Sequence, residues 1–371
     1  RAVPCVRHTH PIHAARPANH FLLPHMPEAV MTLPEGFARR MVDWQRLHGR
    51  QSLPWQNTQD PYRVWLSEIM LQQTQVSTVL DYFPRFLGRF PDVAALAAAQ
   101  QDDVLALWSG LGYYSRARNL HKCAQEVMAR FGGAFPRRAE DLQTLPGIGR
   151  STAAAIAAFC FGERAAILDG NVKRVLTRVL GYGADLAVAK NEKALWALAQ
   201  DLLPVQAADM PRYTQALMDL GATVCLPRKA QCEACPVSSV CQAQAQGEPL
   251  AYPVKTRKLK RSSATLWLLW AVNAKGQVWL QKRPDTGIWA GLFSLPVFDT
   301  EADLLAAWSQ GVQPHYIAPW KHVLTHRDLH LHPVRMLGSA PSFPACEGQW
   351  VDAQAWPDLG LPAPIRALLA A

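Results

Sequence analysis

Apolar residues recur at helical spacing through the first two thirds of the chain. Phe37, Met41, Val42 and Trp44 indicate a first helix that ends before Leu53-Pro54-Trp55, and a second helix is predicted from Pro61 to Val76. Further helical patterns cover residues 80–87, 93–98, 104–108, 120–131, 172–180, 194–203 and 213–221, with an Ala-rich helix after residue 150. This region therefore predicts an all-α fold.

The pattern changes to strands beyond residue 263. Residues 264–272 and 277–283 are apolar or alternating runs, and Asn273-Ala274-Lys275-Gly276 between them is typical of a hairpin turn. Strands are also predicted near 322–326 and 329–337, with a short helix at 364–369. We therefore predict a multidomain protein with a helical region at 32–247, an exposed basic linker at 248–263 and an α+β domain at 264–371.

The net charge of the chain indicates the class of its binding partner. The formal net charge is +9 and the pI is about 9.2, which favours a polyanion, with nucleic acid ahead of acidic lipid because no basic amphipathic helix stands out. No apolar run approaches the ~18 residues that span a bilayer. We expect a folded monomer without a membrane role, located in a bacterial-type cytoplasm with the nucleoid.

The first 31 residues differ from the rest of the chain. Residues 1–30 contain five His, five Pro and three Arg, with no acid before Glu28, and we expect this extension to be disordered. It resembles either an organelle-targeting leader or an upstream sequence misassigned to the reading frame, in which case Met31 is the first residue.

A glycine turn precedes the Ala-rich helix. In Leu145-Pro146-Gly147-Ile148-Gly149-Arg150, the two glycines leave the first N–H groups of the helix uncovered, where the helix dipole and Arg150 attract a phosphate. An ordinary helix–turn–helix connection explains the turn alone equally well. The acid Asp169, which follows in an apolar-flanked loop, favours a DNA-binding helix-hairpin-helix with an active site beside it.

Two further stretches carry candidate chemistry. Glu68 lies among Trp65, Ile69 and Leu71, where burial would raise its pKa and let it hold a proton, although a solvated helical face is the simpler explanation of a single Glu. The uncharged run Gln72-Gln73-Thr74-Gln75 suits hydrogen bonding to bases. In Gly110-Leu111-Gly112-Tyr113, Leu111 and Tyr113 have the shape of a wedge for a base stack, and a helix C-cap with core aromatics is the alternative.

Four of the eight cysteines are clustered as C-x6-C-x2-C-x5-C, formed by Cys225, Cys232, Cys235 and Cys241. Zinc sites usually pair two C-x2-C knuckles, whereas one close pair with wider outer spacings suits a 4Fe-4S cluster. We therefore predict such a cluster, with a structural and DNA-docking role, and expect Arg228 and Lys229 of its first loop to contact phosphates.

Six motifs in order resemble the MutY-type adenine DNA glycosylases of the endonuclease III superfamily. They are Leu53-Pro54-Trp55, Trp65-Leu66-Ser67-Glu68 with Met70 to Val76, Gly110 to Tyr114, the glycine hairpin, Leu168-Asp169-Gly170-Asn171 and the four cysteines. The resemblance implies a six-helix barrel at about 60–165, an iron–sulfur module at 32–59 and 166–247, and an active site between them. Residues 264–371 resemble the Nudix-like domain of that family, but the R-E-x-x-E-E pattern of a Mg²⁺-dependent hydrolase is missing.

The resemblance also implies roles for single residues. The expected reaction removes adenine opposite 8-oxoguanine (or guanine) in duplex DNA after base flipping. Glu68 is expected to protonate adenine N7 and later activate water, Asp169 to stabilise the sugar cation, and Asn171 to orient the reacting groups. The adenine pocket is expected to include Leu53, Trp55, Gln215 and Ser151, and Gln73, Leu111 and Tyr113 to fill the vacated stack; Thr74, Gly147, Gly149 and Arg150 complete the predicted DNA-binding residues.

Lesion reading is expected in the C-terminal domain. The family uses a Phe-Ser-His loop, and the matching residues here are Leu324, Thr325 and His326, so the hydroxyl and imidazole are kept while the aromatic ring is not. A strand end whose Thr and His bond only to local backbone is the alternative.

Two other functions compete with this hypothesis. One is a glycosylase and lyase acting on oxidised pyrimidines; it is disfavoured because the lyase members place Lys where this chain has Ser151. The other is a non-catalytic iron–sulfur DNA-binding protein, which would have no reason to keep acids at positions 68 and 169.

Overall fold

The computed structural model describes residues 33–256, 260–308, 313–338 and 348–371. The extension at 1–31, including any leader, lies outside these residues, as does part of the linker. Among the described residues, no helix is both long and apolar enough to cross a membrane.

The region before the linker is helical, as the periodicity predicts. Its helices are α1 (Phe37–His48), α2 (Pro61–Leu71), α3 (Val76–Arg89), α4 (Val93–Ala98), α5 (Gln101–Trp108), α6 (Ser115–Phe131), α7 (Ala139–Leu142), α8 (Arg150–Phe161), α9 (Gly170–Leu180), α10 (Ala189–Asp201), α11 (Met210–Thr223) and α12 (Gln242–Ala245).

Helix α2 ends five residues earlier than its apolar pattern predicts. The guanidinium of Arg116 donates to the carbonyl oxygens of Ile69, Met70 and Gln72 at 2.6–2.9 Å, so it satisfies acceptors that a continuing helix would have used. The chain then turns at Gln73, whose φ is +57°. As a result the polar run at 72–75 forms a loop beside the end of α2.

The C-terminal region contains one mixed sheet. Its strands are β1 (Ser262–Val272), β2 (Val278–Lys282), β3 (Phe293–Ser294), β4 (Val297–Phe298), β5 (His315–Tyr316), β6 (Trp320–Val323), β7 (Arg327–Leu337) and β8 (Gly348–Val351), with α13 at Glu301–Ala306 and α14 at Ala363–Ala370. Strands β1 and β7 pair in parallel over their full length, Ser262 opposite Arg327 and Val272 opposite Leu337. The predicted α+β fold is confirmed.

Two large cores organise these elements. One is formed by α1, α9, α11 and their neighbours, with buried residues from Phe37 to Val237. The other runs without interruption from the helices between Trp55 and Cys160 into the sheet and α14. Leu105 of α5 lies at the join, where Gly360 and Gly291 come so close that an added Cβ would sit 3.1 Å and 3.7 Å from its side chain.

Candidate active site and DNA-facing surfaces

A cleft of about 1300 Å³ lies between the helices of the two cores. It brings together Glu68 from α2 with Asp169 and Asn171 from the start of α9, although 100 residues of sequence separate the two acids. Leu53, Trp55, Gln215, Gln73 and Thr74 also line it. The predicted catalytic residues and most of the predicted adenine pocket therefore share one space.

The surroundings of the Glu68 carboxyl raise its pKa. The side chain is half-buried between the apolar face of α2 and the cleft. Burial and, to a smaller extent, the negative charge of Asp169 together raise its pKa to about 8, because both disfavour the charged form. At neutral pH this carboxyl holds a proton that it can donate.

Asp169 is held as the N-cap of α9. Its Oδ1 accepts from the N–H of Val172 at 2.7 Å, and its backbone is extended, as in an N-cap. The helix N-terminus stabilises negative charge at this position, and the side chain is exposed to the cleft. The two acids thus lie in different environments: Glu68 is half-buried and has a raised pKa, whereas Asp169 is exposed at a helix N-terminus.

Two buried polar side chains orient the other cleft residues. Asp219, fully buried, accepts from Arg50 Nε at 2.7 Å and from Gln215 Nε2 at 2.8 Å, which leaves Gln215 Oε1 as an acceptor beside the cleft. Arg174 donates to Asn171 Oδ1 at 2.9 Å, to Gly221 O at 2.6 Å and to Cys225 O at 2.8 Å. The Asn171 amide is therefore left to donate.

Ser151 does not line the cleft. Its hydroxyl accepts from the N–H of Leu168 at 3.0 Å, and the neighbouring Thr152 lines the cleft instead. One residue corresponds to a rotation of about 100° around α8, which is enough to exchange the two side chains. The pocket role of Ser151 therefore stays a prediction that this lining does not support.

Of the two predicted wedge residues in Gly110-Leu111-Gly112-Tyr113, only Tyr113 is exposed. Leu111 is buried in the core at 6% exposure, so it cannot fill a base stack without leaving its site, whereas Tyr113 is 44% exposed. Tyr113 has φ +49°, and Arg116 fixes the loop by donating to the carbonyls of Leu111 and Gly112 at 3.2 Å. Tyr113 and the exposed Gln73 are the available wedge residues.

The glycine hairpin has the geometry of a phosphate-binding turn. Gly147 has φ +76°, and a Cβ there would lie 2.8 Å from Asn119, so glycine is required. Gly149 precedes α8 in open space. The exposed Arg150 guanidinium stacks on Trp196 at 4.0 Å, an arrangement that leaves its N–H groups free to donate in the plane of the ring.

The four clustered cysteines line one cavity with Arg178. Arg178 donates to Cys225 Sγ at 3.2 Å and to Leu226 O at 2.8 Å, which fixes the first loop from inside. Arg228 and Lys229 of that loop are exposed. Within the described residues no group of three or more His, Cys, Asp or Glu side chains is placed to hold a single metal ion.

The predicted lesion loop is a tight turn between β6 and β7. The N–H of Leu324 donates to Arg327 O at 2.8 Å, and Arg261 donates to Leu324 O at 2.8 Å and to Thr325 O at 3.2 Å. Leu324 packs against the large core, whereas His326 is exposed. The Thr325 hydroxyl is hydrogen-bonded to the Tyr113 hydroxyl at 2.6 Å.

Comparisons with known proteins identify the family. Residues 66–201 match the HhH-GPD superfamily of base excision DNA repair proteins, and residues 267–371 match the NUDIX domain. The chain is 35% identical over 340 residues to the adenine DNA glycosylase of Buchnera aphidicola subsp. Baizongia pistaciae, covering 90% of this chain and 95% of that protein. The chain belongs to the adenine DNA glycosylase family.

Other relatives agree with this assignment. The adenine DNA glycosylase of Mus musculus is 46% identical over 217 residues, 56% of this chain and 41% of that protein. A thermostable thymine-DNA glycosylase of known structure is 29% identical with a TM-score of 0.50, over 57% of this chain and 95% of that chain. The predicted family, enzyme class and fold are confirmed by these comparisons.

Several residues that shape this adenine DNA glycosylase site escaped the sequence analysis. Asp219 accepts from Gln215, Arg50 pairs with Asp219 from the other side, and Arg174 donates to Asn171, yet none of the three was predicted as a site residue. Asp219 left a signal, because a lone acid within Ala216-Leu217-Met218-Asp219-Leu220 must find a buried partner. The arginines left no comparable pattern.

Proposed function

We propose that the protein hydrolyses the N-glycosidic bond of adenine paired with 8-oxoguanine in duplex DNA. The observation that carries the proposal is the pairing, in one cleft, of a Glu68 carboxyl whose pKa is raised to about 8 with the N-cap carboxylate Asp169. Such a pair supplies a proton to a leaving base and a negative charge to the sugar cation left behind.

Each acid has one task in this reaction. Glu68 donates its proton to adenine N7, so the electron pair of the breaking C1′–N9 bond leaves with a neutral base. Asp169 stabilises the oxocarbenium-like sugar through its charge. Glu68, now a carboxylate, accepts a proton from water as the water attacks C1′, and this returns Glu68 to its starting form.

The adenine pocket is built around Gln215. Because its amide nitrogen donates to Asp219, its Oε1 is oriented to accept from the exocyclic amine of an extruded adenine. Trp55 and Leu53 supply apolar surface for the ring. Asn171, whose oxygen is taken by Arg174, has its amide N–H groups left to orient the water or the sugar.

Strand cleavage is not part of the proposed reaction. A lyase needs an amine that forms a Schiff base with the sugar, and no lysine is among the described residues lining the cleft. Lys173, near the start of α9, is paired with Glu192 at 2.7 Å. The position used by lyase members is occupied by Ser151, whose hydroxyl bonds to backbone.

The four cysteines fit a 4Fe-4S cluster better than zinc. Zinc sites usually pair two C-x2-C knuckles, whereas these cysteines have one close pair and wider outer spacings. The four side chains line one cavity, beside the cationic Arg178. A bound cluster would hold the Cys225–Cys232 loop, and with it Arg228 and Lys229, against DNA phosphates.

The partner is double-stranded DNA carrying the mispair, bound by a monomer. Gly147, Gly149 and Arg150 are proposed to bind the backbone, Tyr113 and Gln73 to support the opened stack, and Thr325 and His326 to contact 8-oxoguanine. The hydroxyl and imidazole can bond to the altered N7–O8 edge of the oxidised base.

One assay tests the proposal. Duplexes with A opposite 8-oxoguanine, A opposite guanine and thymine glycol opposite A are incubated with the protein, with and without borohydride. We expect free adenine, an intact strand until alkali is added, and little covalent adduct. Abundant adduct, or release of the oxidised pyrimidine instead of adenine, would support the lyase hypothesis and overturn this one.

A further inference from the structure

We propose that the Tyr113 hydroxyl and Arg116 couple the lesion loop, Leu324–Thr325–His326, to the catalytic helix α2. The inference rests on the proposed function and adds to it a physical link between reading the lesion and excising adenine. Both residues act as positioning residues, because neither touches the reacting atoms.

The first contact of the link crosses 212 residues of sequence. The Tyr113 hydroxyl lies 2.6 Å from the Thr325 hydroxyl, and no other hydrogen bond to either hydroxyl is found in the described part of the chain. Each side chain therefore fixes the other. A base that bonds to Thr325 changes the position or strength of the same hydroxyl that holds Tyr113.

Further hydrogen bonds fix the backbone on both sides of the Tyr113–Thr325 contact. Arg261 donates to the carbonyls of Leu324 and Thr325 and is also hydrogen-bonded to the Asp328 carboxylate. On the other side, Trp108 Nε1 donates to Gly112 O at 3.1 Å and the N–H of Arg116 to Tyr113 O at 2.8 Å. Displacement at one hydroxyl is therefore passed to the other instead of being absorbed by a flexible loop.

Arg116 makes the second contact of the link. Its guanidinium carbon lies 5.5 Å from the centre of the Tyr113 ring, and the same guanidinium donates to the carbonyls of Ile69, Met70 and Gln72. These carbonyls form the end of α2, and Glu68 is the residue immediately before Ile69. The connected groups thus run from Thr325 to the backbone that carries the catalytic acid.

This link should increase the preference for adenine opposite 8-oxoguanine over adenine opposite guanine. When 8-oxoguanine engages Thr325, Tyr113 and the end of α2 are held in the arrangement that supports excision. Guanine lacks the oxygen at C8 and the hydrogen at N7, so it engages Thr325 less well and this support is lost. Couplings between protein sites commonly amount to about 5- to 150-fold, and this is the expected range of the contribution.

The test is a double-mutant cycle in the full-length protein. Tyr113→Phe keeps the ring and removes the hydroxyl, and Thr325→Val removes the other hydroxyl at similar volume. Single-turnover excision is measured with A opposite 8-oxoguanine and A opposite guanine. We expect each single variant to lower the ratio of the first rate to the second at least about 5-fold, and the double variant to lower that ratio no further than Thr325→Val does.

Two controls separate coupling from a general structural effect. Tyr114→Phe also removes a hydroxyl that crosses to the C-terminal region, where it donates to Leu361 O at 2.9 Å, but it does not touch the lesion loop. It should leave the ratio of the two rates unchanged. Thr325→Ser keeps the hydroxyl and should restore most of the preference that Thr325→Val loses.

The outcomes distinguish the inference from the proposed function. A wild-type protein that shows no preference for 8-oxoguanine would overturn both. A wild-type preference that Tyr113→Phe leaves intact would overturn the coupling alone, as would strictly additive losses in the double variant.

Discussion

The catalytic cleft and the lesion loop place their polar side chains in opposite environments. In the cleft, Glu68 is surrounded by apolar residues and its pKa rises to about 8, so burial creates its reactivity. In the loop, Thr325 and His326 stand at the tip of a turn, and the rigidity comes from Arg261 bonding to backbone carbonyls. Chemistry here depends on excluding water, whereas reading a base depends on presenting polar groups at a surface.

The cleft should therefore be the more sensitive region to a change that keeps shape but alters charge. Glu68→Gln and Asp169→Asn are each expected to lower single-turnover excision by about 10²- to 10⁴-fold, because one removes the transferable proton and the other the charge facing the sugar cation. Glu126→Gln, which changes a partly exposed glutamate paired with Arg130, is the matched control and should keep the wild-type rate. A near-normal rate in either cleft variant would remove that residue from the mechanism.

The pH profile offers a second comparison. Since the Glu68 carboxyl must be protonated to act, the excision rate should change little around neutral pH and fall about tenfold per unit well above pH 8, as the carboxyl ionises. The Tyr113→Phe variant should show the same profile, because the lesion loop does not tune this acid. A rate that rises through pH 8 would contradict the role of Glu68 as the acid.

The same pKa predicts how stability depends on pH. The folded pKa of Glu68, about 8, lies above the ordinary glutamate value of 4.5, so the protonated carboxyl favours the folded state at low pH. That contribution declines by up to about 1.4 kcal/mol per pH unit from about pH 4.5 and is lost by pH 8. Glu68→Gln should therefore raise the Tm at pH 8.5, with a much smaller gain at pH 5, as calorimetry can measure.

Arg174 should give an intermediate effect, because it acts on the cleft through Asn171. Arg174→Lys keeps the charge but cannot bond to Asn171, Gly221 and Cys225 together, and we expect about a 10-fold loss in excision rate. Lys193→Ala, an exposed cation on α10, serves as the control. An unchanged rate in Arg174→Lys would show that Asn171 is positioned without it.

The smallest expected effect lies at the loop. Arg261→Lys should lower the preference for A opposite 8-oxoguanine only a few-fold, because β6, β7 and the Leu324 N–H to Arg327 O bond still form the turn. Competition between the two duplexes would measure it. If Arg261→Lys lowered this preference as much as Thr325→Val does, Arg261 alone would hold the loop. The loop would then not be less sensitive to substitution than the cleft.

The local sequence pattern predicted some of these features and missed others. Helical spacing and the shift to alternating runs predicted the fold, and the motifs around Glu68 and Asp169 predicted residues that meet in one cleft. The early end of α2 was missed because Arg116, 44 or more residues away, supplies the bonds that end it. Thr152, which lines the cleft beside Ser151, was not predicted, because a family position does not specify which way a helix faces.

The wedge and loop show the same limit. The Gly-Leu-Gly-Tyr segment predicted an irregular turn, but burial of Leu111 depends on the core that the fold builds beneath it. Leu324 at the position of the family's Phe packs against the large core, a contact that no local pattern indicates. Long-range contacts of this kind determine which member of a motif is available for function.

The continuous core that joins the helices to the sheet limits how residues on its two sides can vary. Leu105 of α5 packs where Gly360 and Gly291 approach it, so a larger residue at Gly360 would require a smaller one, or a backbone shift, on α5. Substitutions on the two sides of this contact are therefore expected to change stability in a non-additive way.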